Sequence, residues 1–448
     1  MRKTFVVILA GLVLVLFSAC LISGVVLRYE CIYPGVRMAA MDLGGLSKSE
    51  AQARLATMSA EFGNKTIRLN TGTRSYPVIL RDIGVSVNVT DSVARAYSVG
   101  RHGDLFERLS DILACWKRGR DLPLVYAFDK GVLLKRLEKI AVELDREAVD
   151  AQVLYHGGVV RIRPDTPGCR LEKEASASSI IQAVNTGRDE VALRVKTLRP
   201  SITAADLRGV DGLLASYSTP TAGSARSRLH NLRLACKAID GCLVKPGEVF
   251  SYNSRVGPRL PKKGFMFAPV FVEGEVRQGP GGGVCQVSTT LYNAALLAGL
   301  KIRQRSHHSM PVHYVPPGRD ATVEYGRIDL KFENTTGAPV YISAEVVSGR
   351  VVVNLFGKKT GNRQVEIETR GYSVIPYRVI ERLDDGLAPG ERVERKAGRV
   401  GYRVKVYRVV KQAGIVIDRE LVSNDYYAPS DRVVAVGPPV RTDATTGN

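Results

Sequence analysis

Acidic residues are scarce against basic ones: 44 Asp and Glu face 64 Lys and Arg in 448 residues, a formal net charge of +20. Such a chain is drawn to polyanions, whether nucleic acid, anionic lipid or an anionic cell-wall polymer. Cysteine is sparse as well. Cys20, Cys31, Cys115, Cys169, Cys236, Cys242 and Cys285 are too few for a disulfide-built scaffold, and no Cys-x-x-Cys zinc spacing occurs. Cys236 and Cys242 are near enough in sequence to pair. The glycine run at 279–283 lacks a following Gly-Lys-Ser/Thr, which excludes a phosphate loop. With 45% hydrophobic and 24% charged residues, 43 Gly and 21 Pro, collagen, a coiled-coil rod and global disorder are excluded too. At about three times the length of a typical domain, the chain is expected to hold two to four folded units. The sequons at Asn64, Asn88 and Asn334 would matter in a eukaryotic secretory protein alone.

Arg2 and Lys3 precede an uncharged apolar run from Thr4 to Leu27, closed by Arg28. At about 1.5 Å per helical residue, residues 4–27 can cross a ~30 Å hydrocarbon core, and the run reads as a single-pass signal anchor. A cleaved signal peptide, with an apolar region of roughly 7–15 residues, and a lipoprotein site at Ala19-Cys20 are the alternatives. The basic residues before the run keep the short N-terminal end cytoplasmic, so the bulk of the chain is expected to be extracytoplasmic. Nucleic acid is then not the expected partner.

Val36 to about Pro200 alternates short β-type runs with amphipathic helices. Ser47-Lys48-Ser49-Glu50 is a capping-box pattern, so a helix should start there. Further helices are predicted near Asp91–Val99, Asp104–Trp116, after Asp129, and at Ala175–Val184. Val153–Tyr155 and Val159–Ile162 flank His156-Gly157-Gly158, a hairpin signal. Tyr217–Ser224 is polar and contains Pro and Gly, and is predicted as a domain boundary. A helix over Ser227–Ile239 follows, with strand candidates at Ala321–Tyr325, Lys331–Asn334 and Val340–Val347. From about Val365 to Gly437 the pattern is β throughout.

The densest motif is Gly281-Gly282-Gly283-Val284-Cys285-Gln286-Val287-Ser288-Thr289-Thr290-Leu291-Tyr292-Asn293. Glycines give a tight bend, then Leu291, Ala294, Ala295 and Ala298 sit at helical spacing, so Cys285 lies at or near a helix N-terminus. The free N–H groups and macrodipole there stabilise a thiolate and can hold the oxyanion of an acyl-transfer intermediate, with Gln286 as a further donor. His307, His308 and His313 follow, then Asp320. Nucleophile, base and orienter occur in this order in several thiol acyl-transfer enzymes. Two other readings fit the same residues: an inert buried cysteine in a close-packed turn, or a zinc site of Cys285 with His307 or His308 and His313.

These residues resemble a known family. Pro246-Gly247-Glu248-Val249-Phe250-Ser251-Tyr252-Asn253, the Cys285 motif, and His308-Ser309-Met310-Pro311-Val312 through Gly318-Arg319-Asp320-Ala321-Thr322-Val323 are similar to the VanW domain over about Thr219–Val347. The resemblance implies a cell-envelope role in Gram-positive bacteria and supplies no activity. Leu43-Gly44-Gly45-Leu46-Ser47-Lys48-Ser49-Glu50-Ala51 and the alternation after it resemble the peptidoglycan-binding module that often precedes VanW domains. Ile375-Pro376-Tyr377, Leu387-Ala388-Pro389-Gly390, Gly398, Gly401 and Gly414 resemble the G-five domain of surface proteins. Its family is credited with binding N-acetylglucosamine-containing polymers; Arg399-Val400 departs from its pattern.

The expected architecture is α+β and multidomain: a cytoplasmic tip and anchor helix (1–30), a peptidoglycan-binding-like α+β region (36–215), an α+β VanW domain (219–350) and a small all-β G-five-like domain (365–440). Two functions are carried forward. One is a membrane-anchored, extracytoplasmic, non-catalytic protein associated with peptidoglycan or another anionic wall polymer. The other is a wall-modifying acyl-transfer enzyme, of amidase or transpeptidase type, with Cys285 as nucleophile, His308 or His307 as base, Asp320 as orienter and Gln286 as oxyanion donor. Neither calls for a cofactor or a metal, and the sequence names no protein partner.

Overall fold

A computed structural model describes residues 24–272, 275–361 and 363–439. Nearly all of the apolar run 4–27, and Cys20 with it, lies outside these residues. Among the described residues no helix is long and apolar enough to cross a membrane. The described residues form two compact units, those up to 148 with 167–199, and 149–166 with those from 200 onward.

In the first unit the Ser47 capping box is present: Glu50 N–H donates to Ser47 Oγ (3.3 Å), Ser47 N–H donates to the Glu50 carboxylate (2.8 Å), and the helix Lys48–Gly63 starts there. Asn88, Asp104 and Asp129 cap the helices Val89–Ser98, Leu105–Arg118 and Lys130–Leu144 by accepting a first-turn N–H on the side chain, and Asp104 completes a capping box with Glu107. Strand Thr66–Asn70 pairs antiparallel with Ser75–Ile79 and parallel with Glu190–Ala192. Ile67, Leu69 and Val78 from this sheet pack with Leu137, Ile140 and Ile180 from two helices, so the alternation read from sequence is that of a sheet with one covered face.

The second unit begins with the hairpin β1 (Gln152–His156) and β2 (Val159–Arg163), whose register runs Gln152↔Arg163 to His156↔Val159. Then come β3 (Gly212–Pro220), α1 (Arg226–Ile239), β4 (Leu243–Val244), β5 (Val249–Ser251) and α2 (Tyr252–Val256). They are followed by β6 (Phe267–Val272), β7 (Glu275–Pro280), α3 (Val284–Leu297), β8 (Lys301–Gln304), β9 (Lys331–Glu333), β10 (Val340–Val347) and β11 (Arg350–Gly357). The last stretch carries β12 (Arg363–Ile375), β13 (Val379–Leu383), β14 (Arg392–Lys396), β15 (Gly401–Gln412), β16 (Ile415–Tyr427) and β17 (Arg432–Val436).

An antiparallel sheet in the order β3–β11–β10–β4 is the floor of this unit. Two of its features differ from the sequence reading. Tyr217–Pro220, expected in a boundary loop, is the end of β3 and pairs with β11 through Pro220↔Arg350; the turn begins only at Thr221. Ala321–Tyr325 makes isolated bridges and no strand. Helix α3 lies against this sheet with twelve of its residues buried, so it is covered all round. Its apolar members Val287, Leu291, Ala294 and Ala295 join Leu232 and Ile239 of α1 and Ile342, Val353 and Leu355 of the sheet in one core. The C-terminal β stretch forms two sheets, β12–β15–β16 and β13–β17–β14. Cys31, Cys115, Cys169, Cys236, Cys242 and Cys285 are free thiols, so the pairing of Cys236 with Cys242 does not occur.

Candidate functional site: a cysteine at the start of a buried helix

Hairpin β6–β7 delivers the chain into the glycine turn. Gly283 (φ +109°) is the N-cap of α3, a left-handed conformation that disfavours a side chain. Gly282 lies flat against β6: a Cβ there would sit 2.5 Å from the Pro269 carbonyl oxygen and 2.8 Å from that of Ala268. The turn therefore fixes where α3 starts, and Cys285 is its second residue. In this first turn the Val284 N–H donates to the Gly281 carbonyl (3.1 Å) and the Gln286 N–H to the Gly283 carbonyl (2.8 Å), each three residues back. Tyr252, fully buried, donates its hydroxyl to the Val284 carbonyl (3.1 Å) and braces the same turn.

Cys285 is half-buried, and its Sγ lies 3.6 Å from Thr322 Oγ1 and 3.5 Å from the Val323 carbonyl. Its electrostatic partner is His308. His308 is 5% exposed and sits in the loop after β8, not on a strand. Its Nδ1 lies 2.6 Å from Asp320 Oδ2, and its backbone N–H donates to the same oxygen at 2.6 Å. With Nδ1 committed to the carboxylate, Nε2 is the nitrogen left for the thiol. His308 is thus coupled to Cys285 on one side and hydrogen-bonded to Asp320 on the other.

The electrostatics follow. Burial pushes the Cys285 thiol up, but the hydrogen bond to His308 and the imidazolium charge outweigh it and bring the group down to about 7. Burial pulls His308 down; the bonds to Asp320 and Cys285 outweigh that and raise it to about 9. Burial raises Asp320, and His308 with Arg305 bring it down to about 2. A thiol brought down beside an imidazole brought up is the signature of a pair in which thiolate and imidazolium stabilise each other.

Asp320 is placed by polar side chains of α3 that carry no amphipathic pattern. Ser288 Oγ donates to the Ala321 carbonyl (2.7 Å), Ala321 N–H donates to Thr289 Oγ1 (2.9 Å), Asn293 Nδ2 donates to the Arg319 carbonyl (2.8 Å), and Arg319 Nε returns a bond to Asn293 Oδ1 (2.7 Å). These clamps bind residues 319–321 to the helix that carries Cys285. Sequence reasoning missed them, although a helix so rich in Ser, Thr and Asn with no polar face was the signal.

The remaining expected site residues stand apart. Gln286 is buried, and its Nε2 donates both hydrogens away from the thiol, to Thr219 Oγ1 (3.1 Å) and the Pro220 carbonyl (2.8 Å), while Arg228 donates to its Oε1 (2.9 Å). It ties α3 to the end of β3, and the amide is not free to meet an oxyanion. His307 turns its Nδ1 to the His308 carbonyl (2.6 Å) and packs its ring on Tyr427, so His308 is the imidazole at the thiol. His313 is exposed, edge-on to Tyr314. Among the described residues no three His, Cys, Asp or Glu side chains are placed to hold a metal ion.

Three family models match along the chain: a peptidoglycan binding domain over residues 76–192, "VanW like protein" over 227–356 and a G5 domain over 366–439. The uncharacterized protein YoaR of Bacillus subtilis is 35% identical over 247 residues, which span 55% of this chain and 80% of that protein. The vancomycin B-type resistance protein VanW of Enterococcus faecalis is 29% identical over 182 residues, 38% of this chain and 66% of that one. Among solved structures, the G5 domain of an IgA1 protease matches at 25% identity and a TM-score of 0.16, covering 18% of this chain and 95% of that one. The chain belongs to the VanW-like family. It is a cell-wall-associated protein of mixed α+β, multidomain build with an all-β G5 region at its C-terminal end.

Proposed function

We propose that this chain is a thiol acyl-transfer enzyme of the cell wall, anchored in the membrane through residues 4–27 and facing outward. The observation that carries the reading is Cys285 at the first turn of α3, coupled to a His308 whose Nδ1 is held by the buried Asp320 carboxylate. An inert structural cysteine needs no imidazole, and an imidazole placed for packing needs no buried carboxylate on its far nitrogen.

The chemistry follows from the positions. The Cys285 thiolate adds to the carbonyl carbon of an amide, forming a C–S bond and an oxyanion that the Cys285 N–H and the positive end of the α3 dipole receive. Collapse breaks the C–N bond, and the departing amine takes its proton from His308. The acyl group then passes from sulfur to water, as in an amidase, or to a second amine, as in a transpeptidase, with His308 accepting the incoming proton. The peptidoglycan-binding and G5 modules, with the +20 charge, supply affinity for peptidoglycan and for anionic wall polymer, and this binding weakens as salt rises.

The test incubates the full chain with purified peptidoglycan and follows cross-links and stem peptides by mass spectrometry. Release or exchange of peptide by the wild type, a thioester adduct on Cys285, and loss of both in Cys285→Ala are expected. Equal remodelling by Cys285→Ala would overturn the enzyme reading and leave a wall-binding protein.

A further inference from the structure

The Asp320 loop is held from a second side, by the G5 region. Tyr427, at the end of β16 and fully buried, donates its hydroxyl to Asp320 Oδ1 (2.5 Å) and accepts the Gly318 N–H (2.8 Å). Asp425, two residues earlier on the same face, takes Arg305 Nη1 on both carboxylate oxygens (2.8 and 2.6 Å). The same guanidinium donates to the Asp320 carbonyl through Nε (2.6 Å) and reaches Oδ1 through Nη2 (3.3 Å). Ser423 Oγ, the third inward residue of β16, donates to the Gly318 carbonyl (3.2 Å). Val404 and Val406 of β15 leave Gly318 no room for a side chain: a Cβ would lie 2.6 Å from a Val406 methyl.

We propose that Tyr427 is a positioning residue of the Cys285–His308–Asp320 site, so that the G5 region completes the thiol machinery as well as serving as a wall-binding module. The proposal rests on the acyl-transfer reading of Cys285. Its physical content is the division of the carboxylate. Oδ2 receives both His308 donors and Oδ1 receives Tyr427 and Arg305, so the group cannot turn about Cβ–Cγ. Without the Tyr427 hydroxyl, Oδ1 keeps only the long Arg305 contact. The carboxylate then swings toward the guanidinium, and the imidazolium loses alignment with its counter-charge.

The charged and titratable groups facing Asp320 are His308, Arg305, Tyr427 with Asp425 behind it, Tyr292 of α3 and Tyr314. Those facing Cys285 are His308, Tyr252 and Tyr314.

The experiment measures iodoacetamide alkylation of Cys285 in the full chain from pH 5 to 10, resolved by peptide mass spectrometry. Wild type, Tyr427→Phe and the exposed control Tyr372→Phe are compared. For Tyr427→Phe the rise is expected to move alkaline by about half to one pH unit, with a roughly three- to tenfold lower rate at pH 6.5, while Tyr372→Phe follows wild type. A Tyr427→Phe profile superimposed on wild type overturns the proposal. If that variant does not fold, Asp425→Asn frees Arg305 to compete for Asp320 and is held to the same shift. If neither folds, the network is scaffold and the proposal falls. A wild-type thiol rising only near the ordinary value of about 8.5 would sink the acyl-transfer reading instead, so the two failures are distinct.

Discussion

Asp320 Oδ2 accepts from His308 twice, from Nδ1 and from the backbone N–H, each at 2.6 Å. One oxygen thus fixes both the ring's tautomer and the loop that carries it. Asp320→Asn keeps the shape and removes the charge. The imidazolium loses its counter-ion, and the Cys285 thiol returns toward its ordinary value. Alkylation at pH 7 should fall roughly tenfold or more as the thiolate fraction drops, and acyl transfer should fall by about a thousandfold or more because the base is no longer held in one tautomer. Peptide-resolved alkylation and a turnover assay check the two effects separately. Equal rates in the variant would remove Asp320 from the site.

The pH dependence distinguishes thiolate formation from acid catalysis. Cys285 sits near 7 and His308 near 9. Alkylation needs the thiolate alone, so its rate should rise through about pH 7 and then level off. Acyl transfer also needs a protonated His308 for the leaving amine, so its profile should rise near 7 and fall again near 9, both limbs belonging to the coupled pair. Two profiles that coincide at high pH would show that His308 is not the acid.

Much of this site was legible in the sequence, and the reasons differ residue by residue. Cys285 was placed at a helix start because glycines and helical periodicity are local signals, and the Asp320 motif stood close behind the histidines. Which histidine serves, and which way Gln286 points, depends on how α3 is rotated against β3; a residue adjacent to the nucleophile can face either the thiol or the sheet, and Gln286 faces the sheet. Tyr427 is 107 residues from Asp320, and nothing in the β pattern of β16 marks it as different from its neighbours. The end of β3 was read as a boundary because Pro220 and Gly223 sit beside it, yet Pro220 closes a strand whose partner lies 130 residues away, at Arg350. Non-local pairing of that kind leaves no trace in a short window.

Gln286 makes a prediction opposite in kind to Asp320. Its amide makes three hydrogen bonds, to Thr219, to Pro220 and from Arg228. Gln286→Ala leaves those groups short of a partner and should cost about 1–3 kcal/mol, read as a lower urea midpoint. The midpoint of the Cys285 alkylation profile should stay where it is. A large alkaline shift with unchanged stability would return Gln286 to the reacting centre.

The glycine turn can be tested against another glycine of the same helix. At Gly299, just beyond the C-terminal end of α3, φ is +74° and a Cβ would meet nothing within 4 Å, so Gly299→Ala carries only the left-handed backbone penalty of about 1–2 kcal/mol. At Gly282 the obstacle is backbone, the Ala268 and Pro269 carbonyls of β6, which cannot swing aside as a side-chain tip can. Gly282→Ala must push β6 away from the start of α3 and should cost more than Gly299→Ala, about 3 kcal/mol or above where strand and helix cannot part. The decisive difference lies in reactivity. Moving the first turn of α3 moves Cys285 relative to His308, which α3 does not carry, so Gly282→Ala should lose the neutral-pH alkylation of Cys285 in molecules that remain folded, whereas Gly299→Ala should keep it. Calorimetry gives the stabilities and alkylation at pH 7 gives the second reading. Full reactivity in a folded Gly282→Ala protein would mean that the turn does not set the position of the thiol.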